Sequence, residues 1–290
     1  MMKKILVISV IVLLFAFKLD KPAYNLFNNS GEKVDYSQML DDLSQADVIF
    51  FGELHNNAIA HWLEYEIAKD LINIKGEKLI FGAEMFESDN QLILDEYLND
   101  VITEKKFEAE ARIWPNYSTD YKPLVNLAKE SKSKFIATNI PRRYASVVAK
   151  KGYEGLNKLS SEAKKYLATL PINFDSEVAC YKNMMKMSRM PAMKGGPNMN
   201  IAKAQAAKDA TMAYFINKNY SKDKIFIHYN GSYHSDNNEG IIWHLKKLNP
   251  ELKIKTITTI SQENIENIDK ENNKKANYTL LVPSAMTNTY

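Results

Sequence analysis

Six short runs of this chain are rich in β-formers, and the middle ones are apolar on both faces. They are 47–52 (DVIFFG), 78–83 (KLIFGA), 134–138 (KFIAT), 224–229 (KIFIHY), 253–260 (KIKTITTI) and 278–282 (YTLLV). A strand with two apolar faces has to be covered on both, as happens in a parallel sheet with helices on each side. Helical patterns lie between the runs. Ala58–Ile74 sets Ile59, Trp62, Leu63, Ile67 and Leu71 at the spacing of one helix face. Asp89–Leu98 and Pro123–Lys132 follow, and Ile241–Leu248 stops before Pro250. The alternation predicts an α/β fold with a mostly parallel central sheet flanked by helices.

Between the third and fourth runs the alternation stops. Residues 141–221 hold no convincing strand and read as helices over Arg142–Lys150, Ser161–Leu170, Ser176–Met187 and Asn200–Lys218. Ser160 and Ser161 look like a helix start. Pro171, Pro191, Gly195, Gly196 and Pro197 punctuate the stretch. It reads as a helical insertion that caps the sheet. The polar segment Ser261–Lys275 reads as a loop. Residues 21–290 then form one domain, an expectation that the length of 290 allows.

The first twenty residues are of another kind. Lys3 and Lys4 precede an uncharged run, Ile5–Phe17, of 13 residues. That is short of the roughly 20 a spanning helix needs and matches a secretory signal peptide over 1–20, with an uncleaved anchor as the other reading. Ala16 is a candidate last residue before cleavage. Export to a bacterial periplasm or outer membrane is the expectation. Removing Lys3 and Lys4 takes the net charge from +3 to +1, which offers no electrostatic surface for nucleic acid. The single cysteine, Cys180, excludes a disulfide scaffold. With 45% hydrophobic and 25% charged residues, the chain is neither disordered nor a multi-span membrane protein.

Polar residues gather where four of the runs end: Glu53 and His55, Glu84, Asn139 and Arg142, and His234. The carboxyl ends of parallel strands line the ligand crevice of an open α/β sheet, so these residues are expected on one rim. Gly-x-x-His occurs twice, at Gly52–His55 and Gly231–His234, and a glycine after a strand permits close backbone approach. Glu53, His55, Glu84 and His234 suit either a divalent metal or a positioned water in acid–base catalysis. His61, six residues past His55, is expected near the same rim. His228, inside an apolar run, reads as a packed core residue, and His244 has no assigned role.

The segment Met184, Met185, Met187, Met190 and Met193 lies among Trp114, Tyr117, Tyr121, Tyr144, Tyr153, Tyr166 and Tyr181. Such residues line adaptable apolar surfaces, and thioether and phenolate are also haem-iron ligands. A flat macrocycle against this region makes Tyr181 and Met184, with His61, Asn139 and Arg142, candidate cofactor contacts. No Walker loop, Rossmann glycine fingerprint, Cys-x-x-Cys, His-Glu-x-x-His or Gly-x-Ser-x-Gly occurs.

Six blocks, in order, resemble the ChaN-like haem-binding proteins. They are Gly52-Glu53-Leu54-His55 with His61; Gly82-Ala83-Glu84-Met85-Phe86 with Gln91 and Leu94–Leu98; Trp114-Pro115-Asn116-Tyr117 with Tyr121–Leu124; Ala137–Arg142; Gln205–Ala213; and Gly231-Ser232-Tyr233-His234. The resemblance spans about residues 45–245. It implies an exported bacterial protein of haem or iron uptake, a parallel-sheet core with a helical subdomain, and a homodimer promoted by haem. It also implies contact with transport components of the envelope. The wider superfamily includes Tiki proteases and erythromycin esterases, in which the matching acidic and Gly-x-x-His positions are hydrolytic. A metal-dependent hydrolase using Glu53, His55, Glu84 and His234 is therefore the alternative to haem binding. Members are often lipoproteins, and this chain has no cysteine beside its apolar N-terminal run.

Overall fold

The computed structural model describes residues 21–187 and 199–290. Residues 1–20, where a signal peptide is expected, and Met190 and Met193 lie outside them. Seven strands form one sheet: β1 (Asn25–Asn28), β2 (Val48–Glu53), β3 (Leu79–Glu87), β4 (Lys134–Asn139), β5 (Ile225–Gly231), β6 (Ile254–Gln262) and β7 (Tyr278–Pro283). Their spatial order is β1-β7-β6-β2-β5-β3-β4. All neighbours are parallel except the edge pair β1 and β7. The mostly parallel sheet of the sequence reading is present, and the short strand β1 is an addition to it.

Alternation along the central strands sorts side chains to two layers. Ile49 and Phe51 of β2 and Phe81 of β3 meet helices α1 (Tyr36–Leu43), α2 (Ala58–Lys75), α3 (Gln91–Leu98) and α5 (Lys122–Glu130). Val48 and Phe50 of β2, Ile80 of β3 and Phe226 of β5 meet α8 (Met199–Asn219) and α9 (Ile241–Leu248) on the other face. Every residue of β2, β3 and β5 is buried, which is why these runs carry no polar alternation. Phe81 stacks on Phe135 of β4 with ring centroids 5.7 Å apart. A short helix α4 (Glu104–Glu110) contributes Phe107 to the first layer.

The described part of 141–221 holds helices and no strand, and α8 serves two layers. Its second half, with Met212, Ala213 and Ile216, covers the sheet as the β4-to-β5 crossover. Its first half joins α6 (Arg142–Lys151) and α7 (Ala179–Met187) in a cap held by Val148, Leu156, Leu167 and Ala207. Ser161–Leu170 is not an α-helix: only a 3-10 turn forms at Ala163–Tyr166. The segment is polar at 160–165, and too few apolar residues face the core to hold a longer helix.

One side chain departs from the periodicity. Trp62 stands on the expected apolar face of α2 but is 50% exposed, whereas its neighbour Leu63 is 1% exposed. Leu63→Ala is expected to cost about 2–5 kcal/mol in urea unfolding, the range for a fully buried leucine. Trp62→Ala is expected to cost about 1 kcal/mol or less. Equal losses would place Trp62 in the core.

Candidate functional site

The site forms at the carboxyl ends of β2, β5, β3 and β4. Glu53 ends β2, and the chain turns through Leu54 and His55 into α2. Asn57 caps that helix, its side-chain oxygen accepting from the Ile59 and Ala60 amides at 3.1 and 3.0 Å. The cap fixes His61 within the first turn, facing back toward Glu53. In β3, a register shift between Ala83 and Glu87 re-aims Glu84 and Glu87. Beyond β5, a 3-10 turn at Ser232–His234 carries His234 under the cap helix α8.

Glu53 pairs with Gly231 in the β2–β5 register, so the two Gly-x-x-His segments lie side by side. Each glycine makes room for the other segment. A Cβ on Gly231 would sit 2.7 Å from His55 Nε2, and one on Gly52 would sit 2.9 Å from the Ser232 Cα. Both are closer than a Cβ normally comes, and at Gly52 the neighbour is backbone and cannot give way.

Two charged networks meet there. In the first, Glu53 Oε1 accepts from His55 Nδ1 at 2.6 Å and from the Tyr121 hydroxyl at 2.7 Å. His61 Nδ1 faces Glu64 Oε2 at 2.9 Å and Glu53 Oε2 at 3.6 Å, and its Nε2 faces Asp120 at 3.4 Å. In the second, His234 lies between Glu84 Oε1, at 3.1 Å from Nε2, and Asp209, which contacts Nδ1. Glu84 Oε2 accepts from the Gly231 amide at 3.0 Å. Asp209 also accepts from the Tyr181 hydroxyl at 2.8 Å, and that hydroxyl lies 3.2 Å from His244 Nε2.

Glu53, Glu64, Glu84 and Asp209 are each at most 4% exposed, so their ionisation depends on these partners. Burial alone lowers the pKa of His234, but Glu84 and Asp209 outweigh it and push it up to about 10. His61 goes the same way: burial lowers it, Glu64, Glu53 and Asp120 raise it, and it is pushed up to about 10. Burial raises Glu84, yet His234 and His55 hold it well below the usual carboxylate range. Glu53 is likewise held low by His55 and His61 against its burial. Glu64 is pushed well up, by burial and then by the charge of Glu53. His228 is pushed down to about 4 by burial, inside the core as its sequence position suggests, with Thr138 and Asn230 as partners.

A cleft of about 540 Å³ opens over the rim. Ile113, Trp114, Pro115 and Ile140 give it apolar walls, and His55, Glu84, Asn139, Arg142, Lys208 and His234 give it polar ones. Asn139 donates to the Glu84 carbonyl at 2.9 Å. Arg142 pairs with Glu87. Of the expected rim residues, His55, Glu84, Asn139, Arg142 and His234 therefore line one cleft, with Glu53 buried beneath His55. His61 belongs to the same network but faces away from this cleft. Tyr181 lies under the rim, fully buried, with its hydroxyl engaged by Asp209 and its pKa pushed far up by burial. Met184 sits half-buried on α7, outside the lining. Burial also pushes the Cys180 thiol up to about 12, which removes it as a nucleophile.

Glu64, Asp209, Asp120, Tyr121 and Glu87 are site residues that strand-end reasoning does not reach. Two of them carried a signal. Glu64 stands on the buried face of α2 between Leu63 and Ile67, and Asp209 stands among buried alanines of α8. A charge on a buried helix face needs a partner.

The five histidines should separate by NMR titration. His61 and His234 stay charged and His228 and His244 stay neutral from about pH 5.5 to 8.5, while the His55 midpoint lies above that of a free imidazole because, against its burial, Glu53 holds its proton. A raised histidine stabilises the fold fully below its unfolded value of about 6.5 and loses that contribution as pH rises. For His234 the loss runs up through about 10. Asp209→Asn removes one of its carboxylates and should move the His234 midpoint down; an unmoved midpoint would contradict the network.

Residues 39–245 match the family described as haem-binding uptake, Tiki superfamily, ChaN. Among solved structures, ChaN of Campylobacter jejuni, described as binding haem cofacially, aligns with a TM-score of 0.68 at 20% identity. The alignment covers 89% of this chain and 96% of that one. It shows the fold. The type III effector HopBA1 is a more distant likeness, with a TM-score of 0.46 at 11% identity over 86% and 92% of the two chains. The erythromycin esterase EreC gives 0.46 at 12% identity over 89% and 82%. No curated protein matches the chain.

Proposed function

The chain belongs to the haem-binding uptake family of the Tiki superfamily, ChaN, and on that premise we propose that it binds haem in the strand-end cleft and serves haem or iron uptake as an exported protein. The observation that carries the reading is the make-up of the cleft. It joins the part-exposed His55 ring, the apolar surface of Ile113, Trp114, Pro115 and Ile140, and the cations Arg142 and Lys208. Those are the three chemistries haem asks for: an iron ligand, an apolar wall for the macrocycle and counter-charges for two propionates. Bound haem supplies an iron centre that accepts an axial donor.

His55 is the residue placed to be that donor. Its Nδ1 is held by Glu53, which fixes the ring and leaves Nε2 as the second nitrogen. Trp114 packs against the ring with centroids 5.0 Å apart. Arg142 and Lys208 stand on the cap side of the cleft to take carboxylates. Tyr181, one of the candidate cofactor contacts, is not placed to be that donor, because its hydroxyl is buried and already donates to Asp209.

Export is supported by Lys3, Lys4 and the apolar run 5–17. Among the described residues, no helix is long and apolar enough to cross a membrane. The cofacial haem of the Campylobacter protein supports a homodimer that closes over haem, and an uptake role implies handover to envelope transport components.

Haemin titration of the purified chain should give a saturable Soret shift, with a move toward dimer on size-exclusion. His55→Ala should weaken binding roughly 10- to 100-fold, the usual effect of disturbing a metal's ligand sphere. No Soret shift in the wild type would overturn the haem reading. Unchanged affinity in His55→Ala would overturn the ligand. Recovery of the chain from the cytoplasmic fraction with residues 1–20 intact would overturn export.

A further inference from the structure

We propose that the chain holds a divalent metal ion between Glu53, His61 and Glu64, on the α2 side of β2 and behind the haem cleft. The proposal rests on no part of the haem reading. One donor atom from each of the three residues lies within 4.8 Å of the other two, and all three residues are buried.

The second observation is an unpaired oxygen on each carboxylate. Glu53 Oε1 is satisfied by His55 and Tyr121, and Glu64 Oε2 by His61. Glu53 Oε2 and Glu64 Oε1 are buried with no other group donating to them, and the two carboxyls meet each other, so a proton or a cation has to lie between them. Glu53 is 1% exposed and Glu64 0%, so no bulk water reaches either. A buried carboxylate oxygen left bare is costly. Two carboxylates converging on one imidazole nitrogen, through Glu64 Oε2 and Glu53 Oε2, are the donor set of a cation.

The distances fit an ion. Ligands bound at about 2.0–2.2 Å stand roughly 3–4 Å from one another. His61 Nδ1 lies 2.9 Å from Glu64 Oε2 and 3.6 Å from Glu53 Oε2.

The supporting groups are those a bound metal needs. His61 Nε2 faces the His55 carbonyl at 3.2 Å and Asp120 at 3.4 Å, which holds a proton on Nε2 and turns Nδ1 inward, where a bound metal would replace the Nδ1 proton. Asp120 is in turn held by Asn116 at 2.6 Å and by Thr289 at 2.7 Å. Access exists as well. A separate cleft of about 330 Å³, lined by Ala58, Trp62, Asp120, Pro123 and Thr289, reaches His61 from the surface. Two carboxylates and an imidazole select a borderline or hard dication, Zn2+ or Mn2+, over a soft ion.

The competing occupant is a single proton shared by the two carboxyls, and Glu64→Gln separates the cases. Its amide can donate to Glu53 as a protonated Glu64 does, so the metal-free variant should fold like the metal-free wild type. It lacks the anionic donor. The full chain, purified without haem and stripped with chelator, is loaded with Zn2+ or Mn2+ and its metal content measured by mass spectrometry. The wild type should hold about one ion per chain and melt higher with it. Glu64→Gln should lose the ion and the rise in melting temperature, while His234→Gln, across the rim, should keep both. A metal-free wild type whose melting matches Glu64→Gln in either ion would overturn the proposal in favour of the shared proton. Loss of metal in His234→Gln with retention in Glu64→Gln would overturn it in favour of the rim.

Discussion

The contact on which the site depends is the close approach of two glycines on neighbouring strands. Gly52 of β2 accepts the backbone of Ser232, and Gly231 of β5 accepts the ring of His55. Neither approach leaves room for a methyl group. The motif is therefore reciprocal: each glycine creates the space that the other segment fills. Glu53 then sits in register with Gly231, and the Gly231 amide reaches Glu84 of β3. Three strand ends are tied together before any ligand is considered.

Around that contact, charge is buried in alternation. Glu53, His61 and Glu64 continue one way toward α2, while Glu84, His234 and Asp209 continue the other way toward α8. Each imidazole stands between carboxylates, and each ionised carboxylate meets an imidazole. Burial opposes every one of these ionisations, so the networks are sound only when complete. The two flanking helices deliver their charges from faces that otherwise pack the core. Helix α8 bears the heavier duty, since it covers the sheet with Met212 and Ile216 and supplies Asp209 from the preceding turn.

Which parts were legible follows from what kind of signal they leave. The central strands announce themselves because residues buried on both faces must be apolar on both faces. The rim was legible for a related reason: Glu53, Glu84, Asn139 and His234 interrupt apolar runs at their carboxyl ends, where a parallel sheet puts its crevice. Strand β1 was not legible, because four residues at an antiparallel edge carry no periodicity of their own. Glu64 and Asp209 left a weaker signal: each is a charge on an otherwise buried helix face, which says that a partner exists but not which residue across the fold it is. Tyr181 misleads for the opposite reason. Its residue type suits iron, but the phenol is buried against Asp209, and exposure decides what a tyrosine can ligate.

Glu53 is the one group common to both sides. Its Oε1 holds His55, which faces the strand-end cleft, and its Oε2 faces His61, away from it. Charge added on one side is therefore felt on the other through a single buried carboxylate. A cation drawn to Oε2 weakens the pull of Glu53 on the His55 proton and eases the ring toward the neutral form that ligates iron. By linkage the effect would run equally in reverse: a ligand that takes the neutral His55 ring would change the cation affinity of the inner carboxylates by the same factor. The buried carboxylate thus does more than orient an imidazole, because it makes the strand-end cleft and the α2 face parts of one electrostatic unit.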